Sequence, residues 1–268
     1  MIYSSKSELI DTLRGIFESG WHQSVKNTIN TRNDGAVGNT LEKLLGITEN
    51  NLPLPNAGEW ELKGQRAHTT SLVTLKHKEP SPTALRIVPR LLLPLYGWPH
   101  KQAGKLYPAS EMSFRSTTSA TVYTNRGFRI VVDRAQQKIR FVFDPAQADT
   151  SDPQIASWLS SVEERVGLGP LDPEPYWGFD DLKYAIGAKI RNCFYVVAQS
   201  KVENNQEYFL YTELHILSGF SSERLLGCIE RGELVVDFDA RTGHNHGTKF
   251  RMKQRCWSAL YSSVKRAI

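Results

Sequence analysis

Apolar positions near the start of the chain recur at the spacing of amphipathic helices. From residue 7 to residue 19 one helical face collects four apolar side chains, namely Leu9, Leu13, Ile16 and Phe17. Gly20 ends that pattern, and Gly46 ends a second apolar stripe over residues 37–45. This spacing predicts two short helices whose apolar faces lie against a core.

Shorter apolar runs, many with alternating polar neighbours, predict strands over much of the remaining chain. Residues 59–63 and 71–77, with a polar stretch between them, are expected to form a hairpin. An antiparallel meander is expected from residues 121–123, 128–133 and 139–143. The other predicted elements are strands at 193–199, 209–212 and 234–238 and helices at 179–191 and 221–231. This mixture indicates an α/β or α+β fold with a mixed sheet.

Residues 146–153 are small, acidic and proline-containing, which is typical of a surface crossing. We therefore expect one lobe over residues 1–150 and another over residues 151–268, or a single domain that contains both. No internal repeat is evident along the chain.

The composition of the 268 residues, 40% hydrophobic and 23% charged, is that of a globular protein. Lysine and arginine outnumber aspartate and glutamate by 33 to 28, so the net charge of +5 permits a polyanionic partner without requiring one. Three scattered cysteines predict no disulfide framework and favour a cytoplasmic location. Residues 84–98 are the most apolar stretch, but arginines and prolines interrupt it, so no membrane span is expected.

Candidate chemistry is concentrated in residues 56–63, which read NAGEWELK. Because side chains alternate along a strand, Glu59, Glu61 and Lys63 are expected to project to one side. A carboxylate that holds Mg²⁺ beside a lysine that orients water is the pairing that phosphodiester hydrolysis needs. Such a triplet also occurs by chance on solvated strands. Glu42 on the preceding predicted helix and Asn56 in the preceding turn favour the catalytic interpretation.

A second candidate segment, residues 243–251, reads GHNHGTKFR and combines histidines with cations. Arginine can pair with guanine in the major groove and histidine can donate to an acceptor there, so this loop suits base reading. The His244-x-His246 pair also permits a zinc site, although no third ligand accompanies it, and a plain surface loop is a further alternative. Basic residues near both segments could line a cleft and neutralise phosphates, or could be an ordinary solvated face.

These segments and several others resemble the MvaI/BcnI family of type II restriction endonucleases. The resembling stretches are TRNDG at 31–35, GEWELKG at 58–64, LKHK at 75–78, YWGFDDL at 176–182, SKVEN at 200–204 and GHNHGTKFR at 243–251. The resemblance implies a mixed sheet flanked by helices, as in restriction endonucleases, with two lobes around a DNA-binding cleft. The lobe over residues 1–150 would be mainly catalytic, and residues 151–268 would complete the core and read the DNA.

The resemblance also assigns roles to individual residues. It implies the catalytic residues Glu42, Asn56, Glu61 and Lys63. The implied ligands of Mg²⁺ are Glu42, Asn56, Glu61 and Leu62. The implied DNA contacts are His77, Arg32, His244, His246, Lys249 and Arg251. Where the family has aspartate, this chain has Asn56, which keeps an oxygen ligand but loses a formal charge.

The function that follows is Mg²⁺-dependent cleavage of double-stranded DNA at a short GC-rich pseudopalindromic site of the CC-N-GG kind. The resemblance implies a monomer and a cognate DNA methyltransferase in the same system. Two alternatives stay open: a sequence-specific DNA-binding protein whose cleavage is impaired by Asn56, or a strand-nicking enzyme of the mismatch-repair type. Glu59 could compensate for Asn56 if it shares the strand face of Glu61.

Overall fold

The structure is a computed structural model that describes residues 5–26, 35–47, 57 and 59–268. It divides into two compact units. Unit 1 comprises Met1–Ser71, Ala185–Arg224 and Gln254–Ile268, and unit 2 comprises Leu72–Tyr184 and Leu225–Lys253. Both units therefore draw on separate stretches of the chain, and neither ends at the lobe boundary expected near residue 150.

Helices and strands alternate irregularly along the described residues, which confirms the mixed α/β class. The α-helices are α1 (Lys6–Glu18), α2 (Ala36–Leu44), α3 (Leu93–Tyr96), α4 (Pro153–Val166), α5 (Phe179–Ile190) and α6 (Ser222–Glu230). The strands are β1 (His22–Gln23), β2 (Glu61–Arg66), β3 (Leu72–His77), β4 (Trp98–Pro99), β5 (Met112–Thr118), β6 (Arg126–Asp133), β7 (Lys138–Ala148), β8 (Tyr176–Gly178), β9 (Asn192–Glu203), β10 (Gln206–Phe220), β11 (Leu234–Arg241), β12 (His244–Asn245), β13 (Lys249–Lys253) and β14 (Tyr261–Arg266). Shorter helical turns are Thr83–Leu85, Val88–Leu92 and Gln254–Leu260. In the described residues no helix is both long and apolar enough to cross a membrane.

Unit 1 is built on a five-stranded sheet in the order β1-β10-β9-β2, with β14 paired to β10. Strand β2 lies at the end of this order and runs parallel to β9. Its Leu62 faces the core formed with α1 and α2, where Leu13 and Leu41 are fully buried. Burial of these apolar side chains is the main force that holds the two helices on the sheet.

Helix α2 passes very close to β2 at a pair of glycines. A Cβ atom at Gly64 would lie 3.0 Å from Val37 Cγ1 and 3.1 Å from the main-chain nitrogen of Gly38. Gly64 is therefore needed for this approach, since a side chain there would push helix and strand apart, whereas a Cβ at Gly38 would lie 4.0 Å from the Gly64 nitrogen, an ordinary contact.

Unit 2 contains a six-stranded and a three-stranded sheet. The larger has the order β3-β13-β11-β5-β4, with β12 paired to β11, and the smaller has the order β6-β7-β8. Aromatic rings fill the core of the unit; Phe128 and Phe141 stack with centroids 5.2 Å apart, and Phe114 meets Phe128 edge-on at 5.4 Å. Such edge-on and offset contacts stabilise the core beyond simple area burial.

The expected hairpin between residues 59–63 and 71–77 is wrong. Strand β2 pairs with β9 of unit 1, whereas β3 pairs with β13 of unit 2. The physical reason lies in β9, whose residues from Cys193 to Val196 are buried on both faces and offer apolar neighbours to either side of β2.

The expected meander is confirmed only in part. Strands β6 and β7 form the antiparallel hairpin, but residues 121–123 are not a strand. Instead β5 begins earlier and pairs with β11 and β4. The later elements are confirmed in position, including α5, β9 and α6, and Gly232 follows α6 with a positive φ of 65°.

Helix α4 was not predicted at all. Asp152 caps it by accepting a hydrogen bond from the Gln154 nitrogen at 2.8 Å, and Pro153 occupies its first turn. Its buried residues Ile155, Trp158 and Val162 do recur at helical spacing, so a signal was present in the sequence. The acidic, proline-containing segment is thus the start of a helix as well as a connection.

Candidate active site and charged face

Strand β2 brings a buried carboxylate and an amine to one face of the sheet of unit 1. Glu61 is 1% exposed, and Lys63 Nζ lies 2.7 Å from its Oε1. The two residues are separated by Leu62, which points into the core on the other face. The alternation that the sequence predicts for Glu61 and Lys63 is therefore present.

A second lysine, which the sequence analysis missed, reaches the same carboxylate. Lys189 lies in the last turn of α5, and its Nζ is 3.6 Å from Glu61 Oε1. The Lys63 and Lys189 side chains are 20% and 22% exposed, so both side chains border solvent while that of Glu61 does not. Neither periodicity nor motif spacing links residue 189 to residue 61, because only the packing of α5 brings them together.

The second oxygen of the Glu61 carboxylate, Oε2, indicates what this group binds. Glu61 Oε2 is buried and accepts no hydrogen bond from the described residues. Burial of a carboxylate oxygen without a hydrogen-bond partner destabilises a folded protein. A bound cation or a hydrogen-bond donor next to Oε2 would remove this free-energy cost. An oxygen ligand of full negative charge is what Mg²⁺ prefers.

The surroundings of Glu61 include two buried, uncharged side chains, Cys193 and Tyr261. Cys193 lies opposite Glu61 in the parallel ladder, and burial raises the pKa of its thiol well above the usual range. Burial also raises the pKa of Tyr261, whose hydroxyl donates to the Ile190 carbonyl at 2.9 Å. The Cys193 thiol and the Tyr261 hydroxyl therefore stay protonated. Because these surroundings exclude water, electrostatic interactions with Glu61 are stronger than at the surface.

Glu42 lies on α2, one turn after Gly38 and on the same helical side. That side approaches β2 at Gly64, on the face opposite Glu61 and Lys63. Among the described strands, β2 is the last in the sheet of unit 1. The two faces of the sheet therefore meet at the outer edge of β2. Glu42 is half-buried and borders a cavity of 330 Å³ with Asn39 and Lys43. Its role as a metal ligand stays a prediction.

The remaining predicted residues of this site fall into three groups. Asn56 and Arg32 lie outside the described residues. Leu62 is buried in the core, so only its main-chain carbonyl could serve a metal. Glu59 is exposed in a turn where Ala57 and Trp60 exchange main-chain hydrogen bonds, and β2 begins only at Glu61. The expectation that Glu59 shares the strand face of Glu61 is therefore wrong.

The predicted DNA-contacting residues of unit 2 gather on one sheet. Here we define the charged face as the side of the six-stranded sheet formed by His77, Arg115, Asp237, Asp239, Lys249 and Arg251. Cross-strand ion pairs hold it: Lys249 Nζ is 3.2 Å from Asp239, and Arg251 Nη1 is 3.1 Å from Asp237. Arg115 also pairs with Asp239, at 2.9 Å. Neither motif nor spacing in the sequence pointed to Arg115, Asp237 or Asp239.

His77 stands at the end of β3, opposite Lys249 in the register. Burial, followed by the charge of Lys249, lowers the pKa of His77, although Glu79 opposes this effect. Gly247 passes close by, since a Cβ there would lie 3.3 Å from His77 Nδ1. The main chain of the 243–251 segment thus lies directly beside His77.

His244 and His246 are both exposed, and their rings meet edge-on with centroids 4.2 Å apart. The loop is fastened by Glu79, which accepts a hydrogen bond from the Thr248 nitrogen at 2.9 Å. In the described part of the chain no group of three or more histidine, cysteine, aspartate or glutamate side chains is arranged to hold a metal.

Comparison with known proteins adds the following findings. A family model described as the MvaI/BcnI restriction endonuclease family matches residues 10–261. A solved complex of the restriction endonuclease MvaI with its cognate DNA substrate is similar, with 22% identity, a TM-score of 0.74, and coverage of 99% of this chain and 100% of that one. MvaI in the absence of DNA is similar over 100% of both chains, with 22% identity and a TM-score of 0.53. No curated protein matches the chain.

Proposed function

Since the chain belongs to the MvaI/BcnI restriction endonuclease family, we propose that this site-specific deoxyribonuclease cuts DNA with Mg²⁺ at a short GC-rich site. The proposed site is pseudopalindromic and of the CC-N-GG kind. Unit 1 would carry the chemistry, and unit 2 would read the bases. We further propose that it acts as a monomer and that a cognate DNA methyltransferase protects the host's DNA.

The Mg²⁺ proposal rests mainly on the different contacts of the two carboxylate oxygens of Glu61. One of its oxygens is held by two lysines, while the other is buried and accepts no hydrogen bond from the part of the chain that the structure describes. Glu61 therefore supplies one charged oxygen ligand of the hard type. Glu42, Asn56 and the Leu62 carbonyl are proposed as its companions. Bound Mg²⁺ would neutralise charge on the scissile phosphate and lower the pKa of a water molecule.

The chain's own residues would orient the reactants. Lys63 pairs with Glu61 Oε1 and has a partly exposed side chain, so its amine would also hold the attacking water in line with the phosphate. Its positive charge would offset negative charge that develops on the phosphate oxygens. Lys189 would help to hold the Glu61 carboxylate through the same Oε1, so that Oε2 keeps a single orientation.

The charged face supports a role in base reading. Arg251 and Lys249 can pair with guanine, His77 and the His244–His246 loop can donate to single acceptors, and Asp237 and Asp239 can accept from cytosine. In the free protein these cations and carboxylates form ion pairs with one another. Recognition would exchange these pairs for base edges of matching polarity.

Two alternatives remain, and the first of them rests on Asn56. A neutral amide at a position where the family has aspartate would weaken Mg²⁺ binding, which favours specific DNA binding with poor cleavage. A nicking enzyme would share the same catalytic group and leave one strand intact.

Supercoiled plasmid with one CC-N-GG site, incubated with Mg²⁺, tests the three proposals. Discrete linear product supports the restriction enzyme, whereas accumulation of open circles supports nicking. Retention on the site-bearing plasmid without any cleavage supports the impaired enzyme. A plasmid that lacks the site is the matched control, and equal cutting of both plasmids would contradict sequence-specific cleavage.

A further inference from the structure

Unit 2 contains a cavity of 1130 Å³ that the proposed function has not used. Strands β4 and β5 form one side of it, and helix α4 forms another. Its lining includes two tryptophans and three arginines, namely Trp98, Trp158, Arg115, Arg126 and Arg165. The one acidic side chain in the lining is Glu164, which is exposed.

Arg126 is held in this cavity by aromatic rings and not by a carboxylate. Its guanidinium carbon lies 4.2 Å from the centroid of Trp98 and 5.5 Å from that of Trp158. Its Nε is buried and donates no hydrogen bond to the described residues. Among the described residues Arg126 forms no ion pair, and Asp152 acts on it only from a distance. Among the described residues, Arg126 therefore has a donor that nothing accepts and a charge that no carboxylate pairs with directly.

Arg165 is fixed in a different way, and it too forms no ion pair with the described residues. Its guanidinium donates to the carbonyls of Ser161, Pro94 and Gly97, at 2.8, 3.1 and 3.3 Å, and also to the Ser161 hydroxyl. Carbonyl oxygens orient a guanidinium without cancelling its charge. Burial lowers the pKa of both arginines, because each is partly withdrawn from water.

Two partly desolvated guanidinium groups that pair directly with no carboxylate of the described residues make the cavity a site for an anion. Arginine presents a planar fork of donors that matches the oxygens of a phosphate group. The two tryptophan rings hold the Arg126 guanidinium in place, so little side-chain entropy would be lost when an anion binds.

The cavity is continuous with the charged face through Arg115. This residue lines the cavity, and its Nε lies 2.9 Å from the Asp239 carboxylate that also binds Lys249. A DNA strand whose bases meet the charged face would therefore have its own backbone next to the cavity. This continuity favours DNA over a free anion as the source of the phosphate.

We propose that the cavity binds a backbone phosphate of DNA that flanks the bases read by the charged face, with Arg126 and Arg165 as its donors. This inference rests on the proposed function for the location of the bases. Because a phosphate contact is independent of sequence, it adds affinity and fixes the register of the strand on unit 2.

The test compares Arg126→Met and Arg165→Met with Arg90→Met, which removes the same charge from an exposed residue of unit 2 outside the cavity lining. Affinity for labelled duplexes is measured by fluorescence anisotropy without divalent metal, over a range of salt concentrations. One duplex ends at the CC-N-GG site, and another extends about ten base pairs beyond it, or roughly one helical turn.

For the longer duplex each cavity variant should bind about five- to tenfold more weakly, and the slope of log K against log salt should become shallower by about 0.9. Arg126→Lys should retain that slope because it keeps the charge. The shorter duplex should show no difference between variants. Thermal denaturation of each variant identifies any loss of folding, and Arg126→Lys and Arg165→Met keep the test valid if Arg126→Met is unstable.

Unchanged affinity and slope in every cavity variant would overturn the proposal. It would also be overturned if inorganic phosphate or pyrophosphate quenched tryptophan fluorescence in an Arg126-dependent way while DNA binding stayed unchanged. In that case the site would serve a free anion. If the unmodified protein does not prefer the CC-N-GG duplex, the proposed function fails, but the salt slopes on unrelated DNA still report whether Arg126 contacts a phosphate.

Discussion

Lys189 Nζ lies 3.6 Å from Glu61 Oε1, the same oxygen that Lys63 contacts at 2.7 Å. Two ammonium groups thus share one buried carboxylate oxygen, and the trio carries a net positive charge. This arrangement holds Glu61 in place before any metal binds, but it also repels an approaching divalent cation.

Removal of Lys189 should therefore tighten metal binding. We expect Lys189→Met to raise the affinity for Ca²⁺ or Mg²⁺ about three- to tenfold, because one charge a few ångströms from the cation is lost. Isothermal titration calorimetry measures the affinity. Lys183→Met, an exposed lysine on the same helix, removes an equal charge and should leave the affinity within about twofold. Weaker binding by Lys189→Met would show that its positioning of Glu61 outweighs the repulsion.

Glu61→Gln should abolish most DNA cleavage. The substitution removes the charged ligand and leaves two lysines without their shared partner, so we expect a loss of at least about 100-fold in cleavage rate. Glu59→Gln is the matched control, since this glutamate is exposed in the preceding turn. Cleavage by Glu59→Gln should stay close to that of the unmodified protein. A large loss there would revive the idea that Glu59 compensates for Asn56.

Asn56→Asp should raise Mg²⁺-dependent cleavage, by about tenfold, because it restores a formal charge to a hard-cation site. Plasmid cleavage over a Mg²⁺ titration measures both the rate and the concentration needed for half of it. Asn56→Ser, which supplies an uncharged oxygen, should not produce the increase. Equal or lower activity of Asn56→Asp would remove the hypothesis that this position impairs the enzyme.

Gly64→Ala should separate α2 from β2. The added Cβ would meet the Gly38 main chain at 3.1 Å, and main-chain atoms cannot move aside as a flexible side chain can. We expect a loss of about 1–3 kcal/mol in the free energy of unfolding, measured in urea. Gly15→Ala in α1 has no atom within 4 Å and should instead stabilise the protein by about 0.5–1 kcal/mol. A neutral effect of Gly64→Ala would mean that α2 tolerates displacement.

His77 should make stability depend on pH on the acidic side of neutrality. Its pKa in the folded protein is lowered by burial and by Lys249, so between that pKa and 6.5 the unfolded chain binds more protons than the folded one. The free energy of unfolding should therefore fall as the pH drops below 6.5. Urea denaturation at pH 5.5 and 7.5 should show a smaller drop for His77→Gln than for the unmodified protein. Lys249→Met should reduce the drop in part, because one cause of the shift is removed.

Local patterns in the sequence predicted much of the fold. The apolar spacing that ends at Gly20, Gly46 and Gly232 gave the positions of α1, α2 and α6, since helix periodicity and a following glycine depend on near neighbours only. The same holds for Glu61 and Lys63, whose common face follows from the alternation of a strand. Short sequence motifs alone also indicated the family resemblance, and the family match over residues 10–261 confirms it.

Only the tertiary structure decided how distant segments combine. The partner of β2 depends on which strand offers apolar surface on both faces, and that is a property of β9 together with its own neighbours. For the same reason the two units draw on separate stretches, and Lys189 and Arg115 join groups that no spacing connects to them. Periodicity records how one element meets a core, whereas the pairing of elements is chosen by burial and charge across the whole molecule.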